Sequence, residues 1–436
     1  MTRIREAVAR CAKAGHGFLP AAVLVLGLLL AAASPSLPPD RPHRPAAPTP
    51  PAAAPEPGTA APPPAAPPDA GEAAPDDARP RPDFAGRAER VRGLYLTGYT
   101  AGNPDRLAAL LRLAKEGGLN AMVIDAKDDD GRVTWRSDVP LAAEIGANSD
   151  KIPDIQALIR TLEENDIYPI ARVVVFCDPL LSRRRPEWAV RVDGRLWRDR
   201  RGLSWTNPYL REVWEYNVEV AKAAARAGFR EIQFDYVRLP EHDLPGFTAG
   251  MPLEKRVEAI TNFLRYARQE LEPLGVKLSA DVFGLTTTVT DDMKIGQDYA
   301  AIAAVVDYIS PMVYPSHYSP GNYGLPDPEA RPYETVYNSM MKAREKTPDL
   351  PLERHRPWIQ DFSLRHRYGA AEVEAQIRAL ADAGIRQFLL WNPNNRYTPG
   401  VNYRLIEAAA PPPEPHPSSP PEPGTPAPAG AQGDAP

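Results

Sequence analysis

The sequence predicts an α/β fold and, within that class, a (β/α)8 TIM barrel. Short apolar runs alternate with amphipathic stretches of helical period from residue 91 to residue 392, and such alternation implies parallel strands covered by helices. The runs number eight, the count at which a sheet of this kind closes on itself. The polar residues of the runs gather at their carboxyl ends, the face where a barrel carries its functional groups. A doubly wound open sheet is the alternative. It would want a glycine-rich phosphate loop after the first strand, and GLYLTGYTAGNP matches that poorly.

The elements follow in order. VRGLYLT (91–97) is the first strand, and NPDRLAALLRLAKEG supplies a helix that Asn103 caps and Gly117 ends. NAMVIDAK (120–127) precedes the helix of IPDIQALIRTLEEND, and YPIARVVVF (168–176) is the third strand. After a long loop, residues 208–227 form a helix whose apolar positions Leu210, Val213, Trp214, Val218 and Ala221 recur at three- and four-residue steps. REIQFDY is strand four, followed by a helix over 254–271 and then strand five, VKLSADVFG (276–284). DYAAIAAVV leads into strand six, VDYISPMVY (306–314); a helix over 333–346 leads into strand seven, RPWIQDF (356–362). A helix over 370–383 and IRQFLLWN (385–392) close the set.

This globular block, residues 84–409, has very different flanks. The 436-residue chain holds 52 prolines, concentrated in 34–83 and 410–436. Those segments lack the large apolar side chains that would offset the entropy of ordering, so a disordered linker and tail are expected. Residues 1–33 place Arg3, Arg5, Arg10 and Lys13 before an apolar run of about 16 residues, with Ala31 and Ala33 spaced like a cleavage site. That pattern reads as a signal peptide or as an uncleaved membrane anchor. Either way the chain is expected to be exported to the periplasm, the cell envelope or the exterior. Cys177 is the only cysteine of the block, which excludes an internal disulfide there. A net charge of −5, with no basic stripe interleaved with aromatics, argues against nucleic acid as a partner.

The strand ends carry the chemistry. Strand two ends in Asp125 and Lys127, whose shared parity points them the same way. Strand three contains Arg172; strand four gives Gln233 and Asp235, then Tyr236 and Arg238. Strand five ends in Asp281, strand six in Tyr314, strand seven in Gln360 and Asp361, and strand eight in Trp391 and Asn392. Charged groups in a closed barrel are costly unless paired. The purely structural reading therefore pairs Asp125 with Lys127 and Asp235 with Arg238. Packing alone does not require six strands to deliver polar groups to one rim. Trp205, Tyr236, Tyr314, Tyr318, Trp358 and Trp391 lie at or past strand ends, where flat apolar faces suit sugar rings, although Trp205 and Trp358 also suit gaps beneath loops. His317, His355 and His366 fall near the rim, but no metal-ligand spacing and no GxSxG elbow appear, so neither metal nor cofactor is expected. Paired carboxylates without a metal or a nucleophilic Ser or Cys point to glycoside cleavage. Asp235 and Asp281 end adjacent strands, about 4.8 Å apart, and their side chains suit the retaining separation of about 5–5.5 Å.

NAMVIDAKDDDG, PIARVVVFCDP, GFREIQFDYVRLP, DYISPMVYPSHY and RPWIQDF, in that order, resemble a bacterial family of glycoside hydrolase-like (β/α)8 barrels. The likeness runs over residues 91–399. It implies a nucleophilic aspartate at the end of strand four, here Asp235, and an acid from strand five, six or seven, with Asp281 the first choice and Asp361 the second. Asp307 opens its strand near the barrel bottom and is set aside. The strand-four motif also resembles that of chitinase-like barrels, GFDGIDIDWE, but Val237 stands where their acid would be. A chitinase-like reading would therefore be a non-catalytic binder.

The expectation is an exported glycosidase acting on a polysaccharide or oligosaccharide. Asp125, Lys127, Arg172, Tyr236, Arg238, Tyr314, Gln360, Trp391 and Asn392 would bind sugar. A carbohydrate-binding barrel without chemistry is the alternative, and a metal-dependent hydrolase, for which the sequence offers no ligand set, is a weaker third.

Overall fold

In the computed structural model, which describes residue 84 and residues 86–408, eight parallel strands close into a barrel. The segments read as signal or anchor, linker and tail lie outside the described residues. The strands are β1 (Arg92–Leu96), β2 (Ala121–Lys127), β3 (Tyr168–Val174), β4 (Glu231–Asp235), β5 (Lys277–Phe283), β6 (Tyr308–Met312), β7 (Trp358–Gln360) and β8 (Phe388–Trp391). Each pairs with its sequence neighbours and β8 returns to β1, which rules out the open-sheet alternative. β7 is the shortest, three residues where seven were predicted, and a single pair, Met312↔Trp358, joins it to β6. Pro311 and Pro357 withhold N–H donors at this seam.

The covering helices are α1 (Pro104–Gly117), α2 (Ile155–Glu164), α3 (Arg211–Ala227), α4 (Leu253–Leu271), α5 (Tyr299–Ala303), α6 (Pro332–Lys346), α7 (Ala370–Asp382) and α8 (Leu405–Ala408). Asn103 caps α1 by accepting from the Arg106 N–H at 3.0 Å, and Gly118, at φ +72°, ends it. α3 starts three residues later than predicted because Asn207 holds Tyr209 and Leu210 in a turn. The long β3–α3 loop contains a two-stranded hairpin, Arg191–Val192 against Arg195–Leu196.

Strand alternation divides the core into two. Met122, Ile124, Ala171, Val173, Ile232 and Phe234 face the helices, while Tyr95, Val123, Ile170, Tyr308, Trp358 and Leu389 fill the barrel. At the amino-terminal mouth, Glu231 accepts from Arg356 Nη1 on both oxygens, at 2.6 and 2.7 Å, and from Ser279 Oγ at 2.6 Å. The Arg356 guanidinium lies 3.7 Å from the Tyr308 ring centroid, so a fully buried ion pair plugs this end. Removing either partner would strand a charge.

One irregularity decides the site. The β2–β3 ladder slips register between Asp125 and Lys127. A one-residue slip turns a side chain to the other face, so parity fails here as a guide. Asp125 faces the lumen, where Arg172 and Tyr95 hold it. Lys127 points into the helix layer instead: Nζ reaches Asp178 at 2.6 Å and donates to Asn217 Oδ1 of α3 at 2.9 Å.

Candidate active site

The carboxyl rim is organised around Arg172, which is buried in β3. Its Nη1 donates to Asp125 Oδ1 at 2.6 Å. Its Nε and Nη2 both donate to Asp235 Oδ2, at 2.9 and 2.6 Å, and Nη2 also reaches Asp129 Oδ1 at 3.0 Å. One cation thus serves three carboxylates. Burial pushes the Asp125 carboxyl up to about 7, with Arg172 opposing and Asp129 adding to the shift. The Tyr95 hydroxyl donates to Asp125 Oδ2 at 2.7 Å.

Asp235 ends β4 with its other oxygen also occupied: Oδ1 accepts from the Tyr236 backbone N–H at 2.6 Å. Tyr236 sits at φ +50°, a conformation that non-glycine residues rarely adopt, and the turn aims its N–H back at the carboxylate. The ladder pairs Gln233↔Ser279 and Phe234↔Ala280, so the next rung sets Asp235 level with Asp281. Asp281 has a very different environment. Among the described residues, no cation forms an ion pair with it. Its Oδ1 accepts one hydrogen bond, from Trp358 Nε1 at 2.7 Å. Burial, and then the negative charge of Asp235, push its carboxyl well above the usual carboxylate range. Two carboxylates on adjacent strands therefore differ sharply in their partners: a guanidinium and a backbone N–H hold Asp235, and a single indole N–H holds Asp281.

The walls are aromatic. Trp391 stacks on Tyr95 with centroids 4.1 Å apart, and Trp358 meets Trp391 edge-on at 5.6 Å. The Arg172 guanidinium lies 5.4 Å from the Trp391 ring. Tyr314 projects near both carboxylates: burial, then Asp281, then Asp235, raise its phenol well above the ordinary value, so its hydroxyl stays a donor.

Other predicted site residues have different positions. Arg238 is not the partner of Asp235. It donates to Glu241 at 2.9 Å and lies between the rings of Trp205 and Phe283, at 4.8 and 4.6 Å, because the turn at Tyr236 swings the chain away from the rim. Lys127 is buried against Asp178 and does not pair with Asp125. Gln360 ties two loops together, accepting from the Ser316 N–H at 3.1 Å and donating to the Phe362 carbonyl at 2.9 Å. Asn392 Nδ2 donates to the Asp361 carbonyl just past β7 and to the Arg396 carbonyl of its own turn, tying the ends of β7 and β8 together. Asp361 accepts from the Thr398 N–H at 3.0 Å and from its hydroxyl, so it anchors the 393–398 loop. His355 precedes β7 and bonds to Tyr299 at 2.8 Å, at the opposite end from the rim where it was expected.

Sequence reasoning missed Tyr95 and Asp129, and treated Trp358 only as an aromatic wall or filler. Tyr95 shares the inward parity of β1, and Asp129 stands in the run DDD, so both left a weak signal. Among the described residues, no group of three or more His, Cys, Asp or Glu is arranged to hold a metal ion.

Residues 93–397 match the family described as "Putative glycosyl hydrolase domain". The chain belongs to this glycosyl hydrolase family. Among solved structures, a hypothetical protein from Ruminiclostridium thermocellum is 44% identical, covering 43% of this chain and 97% of its own, at a TM-score of 0.40. The PgaB (BpsB) glycoside hydrolase domain from Bordetella bronchiseptica is 13% identical, covering 70% of this chain and 94% of its own, at a TM-score of 0.55. That likeness is one of fold. The spore cortex-lytic enzyme SleL from Bacillus megaterium is 14% identical over 73% of this chain and 74% of its own, at a TM-score of 0.45. No curated protein matches the chain. As a member of the glycosyl hydrolase family, the chain carries its polar rim at the carboxyl ends of the strands, where barrel enzymes place their chemistry.

Proposed function

We propose that this glycosyl hydrolase family member is an exported enzyme that cleaves a polysaccharide with retention of anomeric configuration. The observation that carries the reading is the contrast between Asp235 and Asp281 on level, neighbouring strand ends. Asp235 is the nucleophile: an oxygen of its carboxylate attacks the anomeric carbon as the glycosidic C–O bond breaks. Asp281, protonated, gives its proton to the departing oxygen. Water then attacks the same carbon, Asp281 takes its proton, and the Asp235 ester is released. Arg172 and the Tyr236 N–H orient Asp235, Tyr314 hydrogen-bonds the bound ring, and Trp391 supplies a stacking face. The basic and apolar segment at residues 1–33 supports export. Recovery of the protein wholly from the cytosol would remove that part.

The test is turnover of a broad glycan panel by the wild-type chain and by Asp235→Asn, with the anomer formed first identified by NMR. Equal turnover by both proteins removes Asp235 from the mechanism, and first formation of the inverted anomer removes the covalent step. A second reading, a carbohydrate-binding barrel without chemistry, is favoured by one observation: both oxygens of Asp235 are already hydrogen-bonded. Tight glycan binding with no product would select it.

A further inference from the structure

We infer that the polysaccharide is anionic, and that arginines on two sides of the reaction centre read its charges; this rests on the hydrolase reading above. The centre itself is unsuited to an anionic ring, because Asp125, Asp129 and Asp235 already share one guanidinium. Charged groups of a bound polymer must therefore fall on units that flank the cleaved bond. Positive charge lies on both flanks.

On one flank, a polar cavity of about 610 Å³ opens where the chain leaves β1 and β8, lined among others by Thr97, Tyr99, Arg106, Asn394 and Arg396. Its lining holds two arginines and no carboxylate. Arg106 gives one N–H to the Asn394 carbonyl at 3.3 Å, and the Arg396 guanidinium has no partner among the described residues. Tyr99, 64% exposed, offers a ring face at the edge. A cavity of this size matches small-ligand sites, about 300–1,000 Å³, and begins two residues beyond the stacking face of Trp391.

On the other flank, residues 183–201 of the β3–α3 loop read RRRPEWAVRVDGRLWRDRR, eight arginines against three acidic residues in a chain of net charge −5. Arg183, Arg184, Arg195 and Arg200 are exposed and meet no acidic partner among the described residues. The loop joins the site directly: Arg201 Nη1 donates to the Tyr236 hydroxyl at 3.0 Å, and its guanidinium lies 5.5 Å from that ring. β2 alone separates β1 from β3 in the barrel, a span of about 10 Å at the usual strand spacing. A polymer crossing the rim can thus reach both flanks. Arginine's planar fork suits carboxylates and phosphodiesters alike.

The test is equilibrium binding to the full-length Asp235→Asn chain, so that turnover does not interfere. The probes are hyaluronate and unsulfated chondroitin, in which charged and uncharged rings alternate, each in native and carboxyl-reduced form, and teichoic acid as a phosphodiester polymer. Anionic vesicles and duplex DNA serve as non-glycan polyanions. At least one anionic glycan is expected to bind tenfold or more tightly than a neutral form. Arg106→Gln/Arg396→Gln should weaken that binding by about tenfold, the size of a lost charge-assisted contact, and leave neutral binding unchanged. Replacing Arg183, Arg184, Arg195 and Arg200 by Gln should lower its salt dependence. Carboxylate and phosphodiester arms identify the anion. The inference is overturned if no anionic glycan binds, if reduced polymers bind equally well, if the arginine variants bind like the parent, or if arginine-dependent binding is confined to vesicles or DNA. An anionic glycan bound through these arginines but left intact by the wild-type chain refutes the hydrolase reading and leaves this one standing. Cleavage of neutral polymers alone does the reverse.

Discussion

Replacing Asp125 by Asn tests the charge balance around Arg172, because it removes one of three carboxylates without changing shape. The amide oxygen still accepts from Arg172 Nη1, and the Tyr95 hydroxyl turns from donor to acceptor toward the new NH2. In the wild type, burial raises the Asp125 carboxyl from 3.8 to about 7. A raised carboxyl contributes stability that is fully present below the unfolded value and is lost as pH rises through the folded one. That span corresponds to about 4 kcal/mol. For a domain of this length, unfolding entropy near 2.1 cal/mol/K per residue converts it to roughly 6 °C in Tm. The variant cannot ionise there and escapes the loss. Melting curves of both proteins from about pH 4 to about pH 8 should show the Tm difference, variant minus wild type, growing by about 6 °C across that range. A constant offset would refute the reasoning: Arg172 would then satisfy all three carboxylates, and the site would hold no surplus negative charge.

Three other outcomes follow from the same geometry. Asp281→Asn should lower kcat by about 10²–10⁴-fold, the usual worth of a general acid, with glycan affinity retained; loss of affinity without loss of kcat would make Asp281 a binding residue. Trp358→Phe removes the one hydrogen bond that lowers the Asp281 carboxyl. The basic limb of the kcat/KM profile should therefore move to higher pH, and a shift downward would contradict the assignment. Lys127→Met should cost about 3–5 kcal/mol by stranding Asp178, seen as a lower Tm with KM unchanged for the molecules that remain folded. A KM defect at undiminished Tm would return Lys127 to the sugar site where sequence parity placed it.

The barrel was legible because its signal is redundant. Eight apolar runs, their helical spacers and caps such as Asn103 all point to the same closed sheet, so an error of two residues at each end of β7 does not disturb it. The rim was legible as a set: Asp125, Arg172, Asp235, Asp281, Tyr314 and Trp391 do converge in the lumen. What failed was the matching of partners. Asp125 with Lys127 and Asp235 with Arg238 were the nearest charges in sequence, but Arg172, 47 and 63 residues away, takes both carboxylates.

The sequence by itself determined which residue types reach the carboxyl end of each strand, because period-two alternation and strand order are local properties. Tertiary structure decided where the charges go. The register slip in β2 turns Lys127 out to α3, and the positive φ at Tyr236 carries Arg238 away while presenting an N–H to Asp235. Neither feature leaves a signature in composition or period, since both arise from how neighbouring strands and loops close around the barrel. The different environments of Asp235 and Asp281, on which the proposed chemistry depends, follow from the same closure: it seats Arg172 beside one carboxylate and the indole of Trp358 against the other.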